Sequence, residues 1–521
     1  MAAENPPLTG RATPAGCARL AARRLAEDPT LAETAYRLLG TTGLTCAKIG
    51  FGGYRLLADE ADHRRALVAA LAEGCNLFDT AANYGGGGSE QLIGAVVAEA
   101  VGAGRLARDE VVIVTKAGYL QGELLAEVRH GGGEADEGRG VVPLSEGCWH
   151  SLDPDHLALS LAASLGRLGV ETVDYLLLHN PEVYLTHHLG ARPSEVVAEE
   201  LYAAVEAAFA FCERQVAAGR IGGYGVSSNT VAGAADDPSR LDLVRLYQAA
   251  ERAAAALHGS AARPHFDLLQ LPYNLLETEA ATRADTILDG EAVSVLATAA
   301  RLGLAVVTNR PLNALPPSGG MIRLASADPE LQRDPEIALE ETLTEVAAAE
   351  AEIDALLAAS ETEERFAGGN LLSLATDLPA ALAEIQGTAQ WEQIARQAIL
   401  PNVQKMGRFL HRHLKGQAGW QESLDRYLKA VQALLPRVEE AVVARSLARN
   451  EALRERLATV IGPRGGAMSL SQIALAFATS TPGVAATLCG MRQVAYVTDA
   501  CALLAEEPLA DPLALAACAR G

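Results

Sequence analysis

Eight short apolar or β-branched runs recur along the chain with helical patterns between them, and this alternation restricts the possible folds more than any other feature. The runs lie at 47–52, 76–80 (NLFDT), 111–116 (VVIVTK), 173–179 (VDYLLLH), 221–227 (IGGYGVS), 267–272 (DLLQLP), 304–309 (LAVVTN) and 485–489 (AATLC). Helical patterns occupy 60–73, 89–102, 195–218, 238–257, 288–301, 469–479 and 494–505, and another follows Asp153-Pro154, where Asp caps and Pro takes the first turn. Parallel strands need crossovers of this length, and helices supply them. Eight such units make a closed barrel, whereas a doubly wound sheet usually stops at five or six strands. The expected fold class is therefore α/β, a (β/α)8 TIM barrel. RLLGTTGLTCAKIG at 37–50 has Gly-bearing turn residues between two short strands and reads as a hairpin plugging the barrel floor.

One stretch breaks the rhythm. Residues 320–462 hold no convincing strand and at least three long helical patterns, too much for an ordinary connection. Asp334-Pro335 opens one helix with Leu339, Leu343, Val346, Ile353 and Leu357 along a face. Another repeats Leu424, Leu428, Val431, Leu435, Val438 and Val442 and is expected to kink at Pro436. The expected organisation is an N-terminal extension at 1–35, the barrel at 36–319 and 463–510, an all-helical insertion at 320–462 and a tail at 511–521. Packing within a helical bundle is the simpler reading of the insertion, and a homo-oligomer through its apolar seam is the alternative. A lid over the site is a further role for it. His411 and His413 in FLHRHLK project to different helix faces, so they read as surface histidines, and no metal site is assigned.

With 49% hydrophobic and 21% charged residues, the chain can bury a large core. Its net charge of −22 repels phosphate backbones and anionic membrane surfaces, which argues against nucleic acid and membrane partners. No apolar run reaches the roughly 18 residues that cross a bilayer, and no secretory signal opens the sequence. The eight scattered cysteines form no CxxC pair, as expected of reduced thiols in a cytoplasmic protein. Residues 11–24 carry arginines and no acids; they read as a helix docked on the barrel, with an organelle transit segment as the alternative.

In a parallel barrel the reactive groups project from the C-terminal strand ends. Asp79 ends the second run, Tyr84 follows in AANYGGGG, Lys116 ends the third and His179 ends the fourth. Paired on neighbouring strands, Asp79 and Lys116 offset each other's burial. A cation beside Tyr84 is expected to lower its pKa from about 10 toward neutrality and make it a usable general acid. His179 is placed to orient the same substrate oxygen. That set suits carbonyl reduction, hydride to carbon and proton to oxygen. Each of the four taken singly is as well explained by a solvated or structural polar group. The run Gly85–Gly88 lacks the GK[ST] ending of a phosphate loop and reads instead as a sharp turn carrying Tyr84 into a helix. In the long connection 118–152, Trp149 and His150 are candidate pocket liners, with an exposed loop the competing reading, and Cys148 has no visible activating partner.

RLLGTTGL, IGFGGYR, NLFDTAANYGGGGSEQLIG, VTKAG and DYLLLHNPE together resemble the aldo-keto reductase superfamily, over about 36–313 and again 467–505. The resemblance implies Asp79, Tyr84, Lys116 and His179 as catalytic residues. It also implies that Gly53, Tyr54, Ser227, Ser228 and Gln270 hold the nicotinamide ribose and carboxamide, although Ser228 replaces an asparagine common in relatives. Asn309 and Arg310 stand where relatives often have an aromatic residue and serine, with Pro311 and Leu312 matching. Gly490, Arg492, Tyr496 and Asp499 in GMRQVAYVTDA fall on the adenosine-phosphate segment, with Ala500 departing from the usual asparagine. Arg492 can meet a 2′-phosphate bidentately, which favours NADP, with NAD the alternative. The implied activity is an NAD(P)H-dependent oxidoreductase acting on a small carbonyl, aldehyde or sugar. The competing reading is a cofactor-binding regulatory or scaffold protein acting through the insertion, as with the potassium-channel β-subunits that resemble this family.

Overall fold

A computed structural model describes residues 6–132, 134–259, 262–315, 322–324, 335–359, 372–385, 387–415 and 417–520. They divide into two compact units, one of 1–312 with 460–521 and one of 313–459.

In the first unit eight strands close a parallel barrel: β1 Ile49–Gly52, β2 Leu77–Asp79, β3 Val112–Ala117, β4 Val173–His179, β5 Ile221–Ser227, β6 Phe266–Pro272, β7 Ala305–Asn309 and β8 Val484–Cys489. Closure is made by β8 on β1, with Leu488 opposite Gly50. Each run found in the sequence supplies one strand. Side chains alternate along a strand, and Leu77, Val112, Val114, Tyr175, Leu177, Leu268, Val307 and Leu488 meet in one buried cluster. Two residues further along the same faces come Asp79, Lys116, His179, Gln270 and Asn309, so the period that fills the barrel also sets these polar groups at its C-terminal mouth. Gly225 lets β5 approach β6, because a Cβ there would lie 2.0 Å from the Leu268 carbonyl oxygen.

The opposite end is sealed. Tyr36–Leu38 pairs antiparallel with Thr45–Ala47, and Leu39, Leu44 and Cys46 join the core cluster. A helix at Pro14–Glu27, capped by Thr13, buries Cys17, Leu20 and Ala21 against the barrel, while Arg19 and Arg23 pair with the buried Glu110. Beneath β3 and β4, Arg108 and Asp174 form a buried ion pair at 2.9 Å.

Two regions differ from expectation. Residues 119–151 are not a plain exposed loop: Tyr119–Gln121, Cys148–Ser151 and Val141–Ser145 form a three-stranded antiparallel sheet, with a helix at Gly122–His130. The helix expected at 288–301 is shortened to Val295–Leu302 because Ala284–Leu288 and Glu291–Ser294 pair as a hairpin. Asp289 and Gly290 turn it with φ of 53° and 82°, the two left-handed positions an Asp-Gly hairpin requires.

The second unit is mainly helical: Pro335–Ala358, Leu374–Glu384, Thr388–Ile394 continuing through a π turn into Leu400–Leu414, and Trp420–Ile461. Asp334, the expected cap of the first helix, lies outside the described residues. A two-residue bridge, Asn313–Ala314 with Ile322–Arg323, supplies strand where none was expected. Leu339, Val346, Ile353, Trp391, Leu410, Leu434 and Val438 share one buried core. The last helix runs through Pro436 as a single element. Of its expected apolar face, Val431, Val438 and Val442 are buried and Leu424 and Leu435 pack against the core, whereas Leu428 is exposed and Tyr427 and Leu434 join the buried side.

Candidate functional site

At the mouth, β2 and β3 bring Asp79 and Lys116 together with almost no exposure. Lys116 Nζ donates to Asp79 Oδ2 at 2.6 Å and to the Thr80 carbonyl at 2.9 Å, and lies 3.4 Å from Tyr84 Oη. Gln270 on β6 donates to the other Asp79 oxygen at 2.7 Å. Tyr84 is half-buried and stands in a tight turn whose glycines 85, 86 and 87 all have positive φ. A Cβ on Gly85 would sit 2.6 Å from the Leu56 carbonyl oxygen, so the turn depends on glycine there. His179 meets the Tyr84 ring edge-on at 5.7 Å. The four groups, from the ends of three strands and the turn that follows the first of them, thus converge.

Loss of water pushes the Tyr84 hydroxyl well above the ordinary phenol range, and the negative Asp79 adds to this. The expected lowering toward neutrality is corrected: burial and the nearby Asp79 charge outweigh the Lys116 cation. Burial pushes Asp79 up and Lys116 down, with their mutual contact opposing both shifts. Burial, then Lys116, then His150 holds His179 well below the usual imidazole range, so it is neutral at physiological pH.

The small sheet adds a wall. His150 is fully buried, and its Nε2–H donates to the His179 carbonyl at 2.8 Å, which leaves Nδ1 as an acceptor without a partner among the described residues. Tyr119 stands edge-on to both His150 and His179, at 5.2 and 5.0 Å. Trp149 points the other way, into a cluster with Leu120, Leu125, Val128 and Val141 beneath Arg129, so it does not line this site. Cys148 accepts from Gln121.

Around the mouth, Gly53 donates its N–H to the Asp79 carbonyl, and a side chain there would strike Ser89. Tyr54, Asn83, Tyr84 and Arg492 line a cleft of about 470 Å³, and the Tyr54 ring meets Tyr84 at 5.2 Å. Ser227 and Asn309 both donate to Gln270 Oε1, at 3.0 and 3.2 Å, and Asn309 Oδ1 is buried without a partner among the described residues. Pro311 and Leu312 follow at the end of β7, and Gly490 directly follows β8, with Tyr496 exposed beyond it.

Three of the implied cofactor residues have bonds elsewhere. Ser228 accepts from the backbone of Thr230 and Val231, Arg310 pairs with Glu277 at 3.0 Å, and Asp499 accepts from Ser469 at the cap of helix Leu470–Ser480. Two residues escaped the sequence reading. Tyr119 begins a strand nothing in the sequence had indicated. Glu182, in LHNPE after β4, is buried, accepts from the Asn229 N–H at 2.6 Å and is pushed up to about 7 by burial.

A phenol hydroxyl, a neutral imidazole and a compensated cation therefore meet at the barrel mouth beside a row of amide groups. Residues 48–284, which carry β1 to β6, match the model of the Aldo/keto reductase family. Similar curated proteins include the NADH-specific methylglyoxal reductase of Escherichia coli, 28% identical over 30% of this chain and 42% of its own length. The D-threo-aldose 1-dehydrogenase of a Pseudomonas species is 33% identical over 27% of this chain and 42% of its own. The putative voltage-gated potassium channel subunit beta of Schizosaccharomyces pombe is 30% identical over 28% and 37%. The chain spans about two fifths of the length of these relatives.

Proposed function

We propose that this protein is an NAD(P)H-dependent oxidoreductase that moves a hydride between nicotinamide and a small carbonyl, aldehyde or sugar, with Tyr84 as general acid/base. The observation that carries the reading is Lys116 Nζ, which is 2.6 Å from Asp79 and 3.4 Å from the Tyr84 hydroxyl, with His179 across the ring.

The mouth fits the cofactor. A carboxamide N–H2 would satisfy the orphaned Asn309 Oδ1, beside Ser227 and Gln270, and Gly53 and Gly490 leave the strand ends bare. Bound nicotinamide supplies the hydride. Tyr84 gives its proton to the substrate oxygen as the carbon is reduced, and Lys116 stabilises the phenolate that forms. Neutral His179 donates a hydrogen bond that fixes the oxygen near Tyr84. Held protonated, Tyr84 serves reduction across neutral pH; oxidation needs its phenolate to accept the proton and gains as pH rises. NADP is favoured by Arg492 at the cleft, because a guanidinium matches a 2′-phosphate bidentately. The relative named as NADH-specific keeps NAD as the alternative. The names of the reductase and dehydrogenase relatives support a small carbonyl or sugar substrate.

No helix among the described residues is long and apolar enough to cross a membrane, and the eight cysteines are free, which supports a cytoplasmic setting. The potassium-channel relative supports a second reading, a cofactor-binding regulator that uses its helical unit for assembly. The test is oxidation of NADPH and NADH against aldehydes, ketones and sugars, with the reverse reaction and a Tyr84→Phe variant included. Turnover lost in the variant with cofactor binding intact supports catalysis. Tight cofactor binding without turnover in either direction favours the regulator, and sedimentation of the full chain then reads its self-association.

A further inference from the structure

A second group of chemistry-bearing side chains lies at the other end of β6. Glu213 belongs to helix Ser194–Ala217, His258 ends helix Leu243–His258, and His265 directly precedes β6. Five residues separate His265 from Gln270, about 16 Å of extended strand, so this cluster takes no part in the chemistry at the mouth.

Glu213 is completely buried, and its two oxygens have different duties. Oε1 accepts from the Tyr224 hydroxyl and from the His265 N–H, both at 2.9 Å. Oε2 faces the two imidazoles, 2.7 Å from His265 Nδ1 and 3.2 Å from His258 Nε2. All three donor atoms lie within 4.8 Å of one another. Zinc bonds of about 2.0–2.1 Å at tetrahedral angles put neighbouring donors about 3.3 Å apart. The Glu213–His258 separation is already close to that, and small ring movements bring His265 to it.

We propose that Glu213, His258 and His265 bind a divalent transition metal, zinc first among the common ions, with water in the fourth position. Two imidazoles and one carboxylate suit zinc and disfavour magnesium or calcium, which prefer all-oxygen shells. The carboxylate is oriented in advance, since Tyr224 is fixed between Phe209 and Phe266, with ring centroids at 5.1 and 5.9 Å. Entry is open, because the His258 and His265 side chains are 30% and 42% exposed. A second set, Glu137 with His187 and His188, is a poorer candidate: Arg192 lies 3.7 Å from the same Glu137 oxygen that faces His188. The metal would fasten the ends of two helices to the start of β6, so its effect is on stability, not turnover.

The test is calorimetric titration of the chelator-stripped full chain with zinc chloride, with thermal melts run alongside. The expected result is one tight equivalent and a zinc-dependent rise in Tm. His258→Ala, a change at a partly exposed helix end, should weaken that equivalent more than about tenfold and abolish the rise. Tyr224→Phe, which removes only the hydroxyl orienting Glu213, should weaken it about 10–100-fold. The double variant His187→Ala with His188→Ala should keep it. No zinc uptake by the full chain, unchanged affinity in His258→Ala or Tyr224→Phe, or loss of the equivalent in the double variant overturns the site.

Discussion

The barrel buries two ion pairs of opposite design. At the floor, Asp174 receives the N–H groups of Ala12 and Ile113 as well as Arg108, which in turn donates to the carbonyls of Val111 and Thr172. Main chain from three segments surrounds that pair, so its charges are held and have nowhere to act. At the mouth, Asp79 and Lys116 are answered mostly by side chains, and the last neighbour of the ammonium is the Tyr84 hydroxyl on an open cleft. Burial alone therefore does not set the two pairs apart. The identity of the remaining partners does.

The sharpest break between the two pairs comes from Tyr84→Phe, which should lower turnover about 10²–10⁴-fold and leave cofactor affinity and urea stability near wild type; steady-state kinetics beside fluorescence titration checks it. Asp174→Ala should cost about 3–5 kcal/mol in urea denaturation, because it strands the Arg108 charge, while turnover per folded molecule is kept. Lys116→Met should do the reverse, losing turnover with a smaller stability loss, since Asp79, already pushed up by burial, can take a proton when left alone. Equal stability losses in the two variants would dissolve the distinction.

Glu182 gives a weaker signal beside the mouth. Its carboxyl sits at about 7 against an ordinary 4.5, so between those values the folded state binds the extra proton. This contribution is full below pH 4.5 and is lost as pH rises to about 7, by about 3 kcal/mol at most. Glu182→Gln should flatten that slope in urea titrations across the interval. The smallest effect is Arg492→Ala, expected to weaken NADPH about tenfold and NADH little, read by titrating each cofactor.

The barrel was legible because its strands are almost wholly buried and read as short apolar runs. The mouth was legible for the same reason: the side-chain period of two sends Lys116 and His179 to the faces of Val114 and Leu177. Burial itself is not written in sequence, so the direction of the Tyr84 shift was missed. The partners that side chains keep within the protein were not legible either: Arg310 pairs with Glu277, and Ser228 accepts from Thr230 within its own turn. The hairpin at 284–294 was overlooked although Asp289-Gly290 announced it. Glu213, His258 and His265 come from three separate elements, so no spacing pattern joins them.

The order of strands along the chain also bears on how the barrel is made. β8 must pair with both β7 and β1, yet Cys489 lies 180 residues beyond Asn309, helical unit included. At about 5–20 residues per second, a ribosome takes roughly 9–36 s to cover that distance. For that interval seven strands are finished and the wall is open, with β1 and β7 presenting bare edges to any other strand nearby. The helical unit thus sets a delay on closure, and newborn chains should be held by chaperones or lost to aggregation during it.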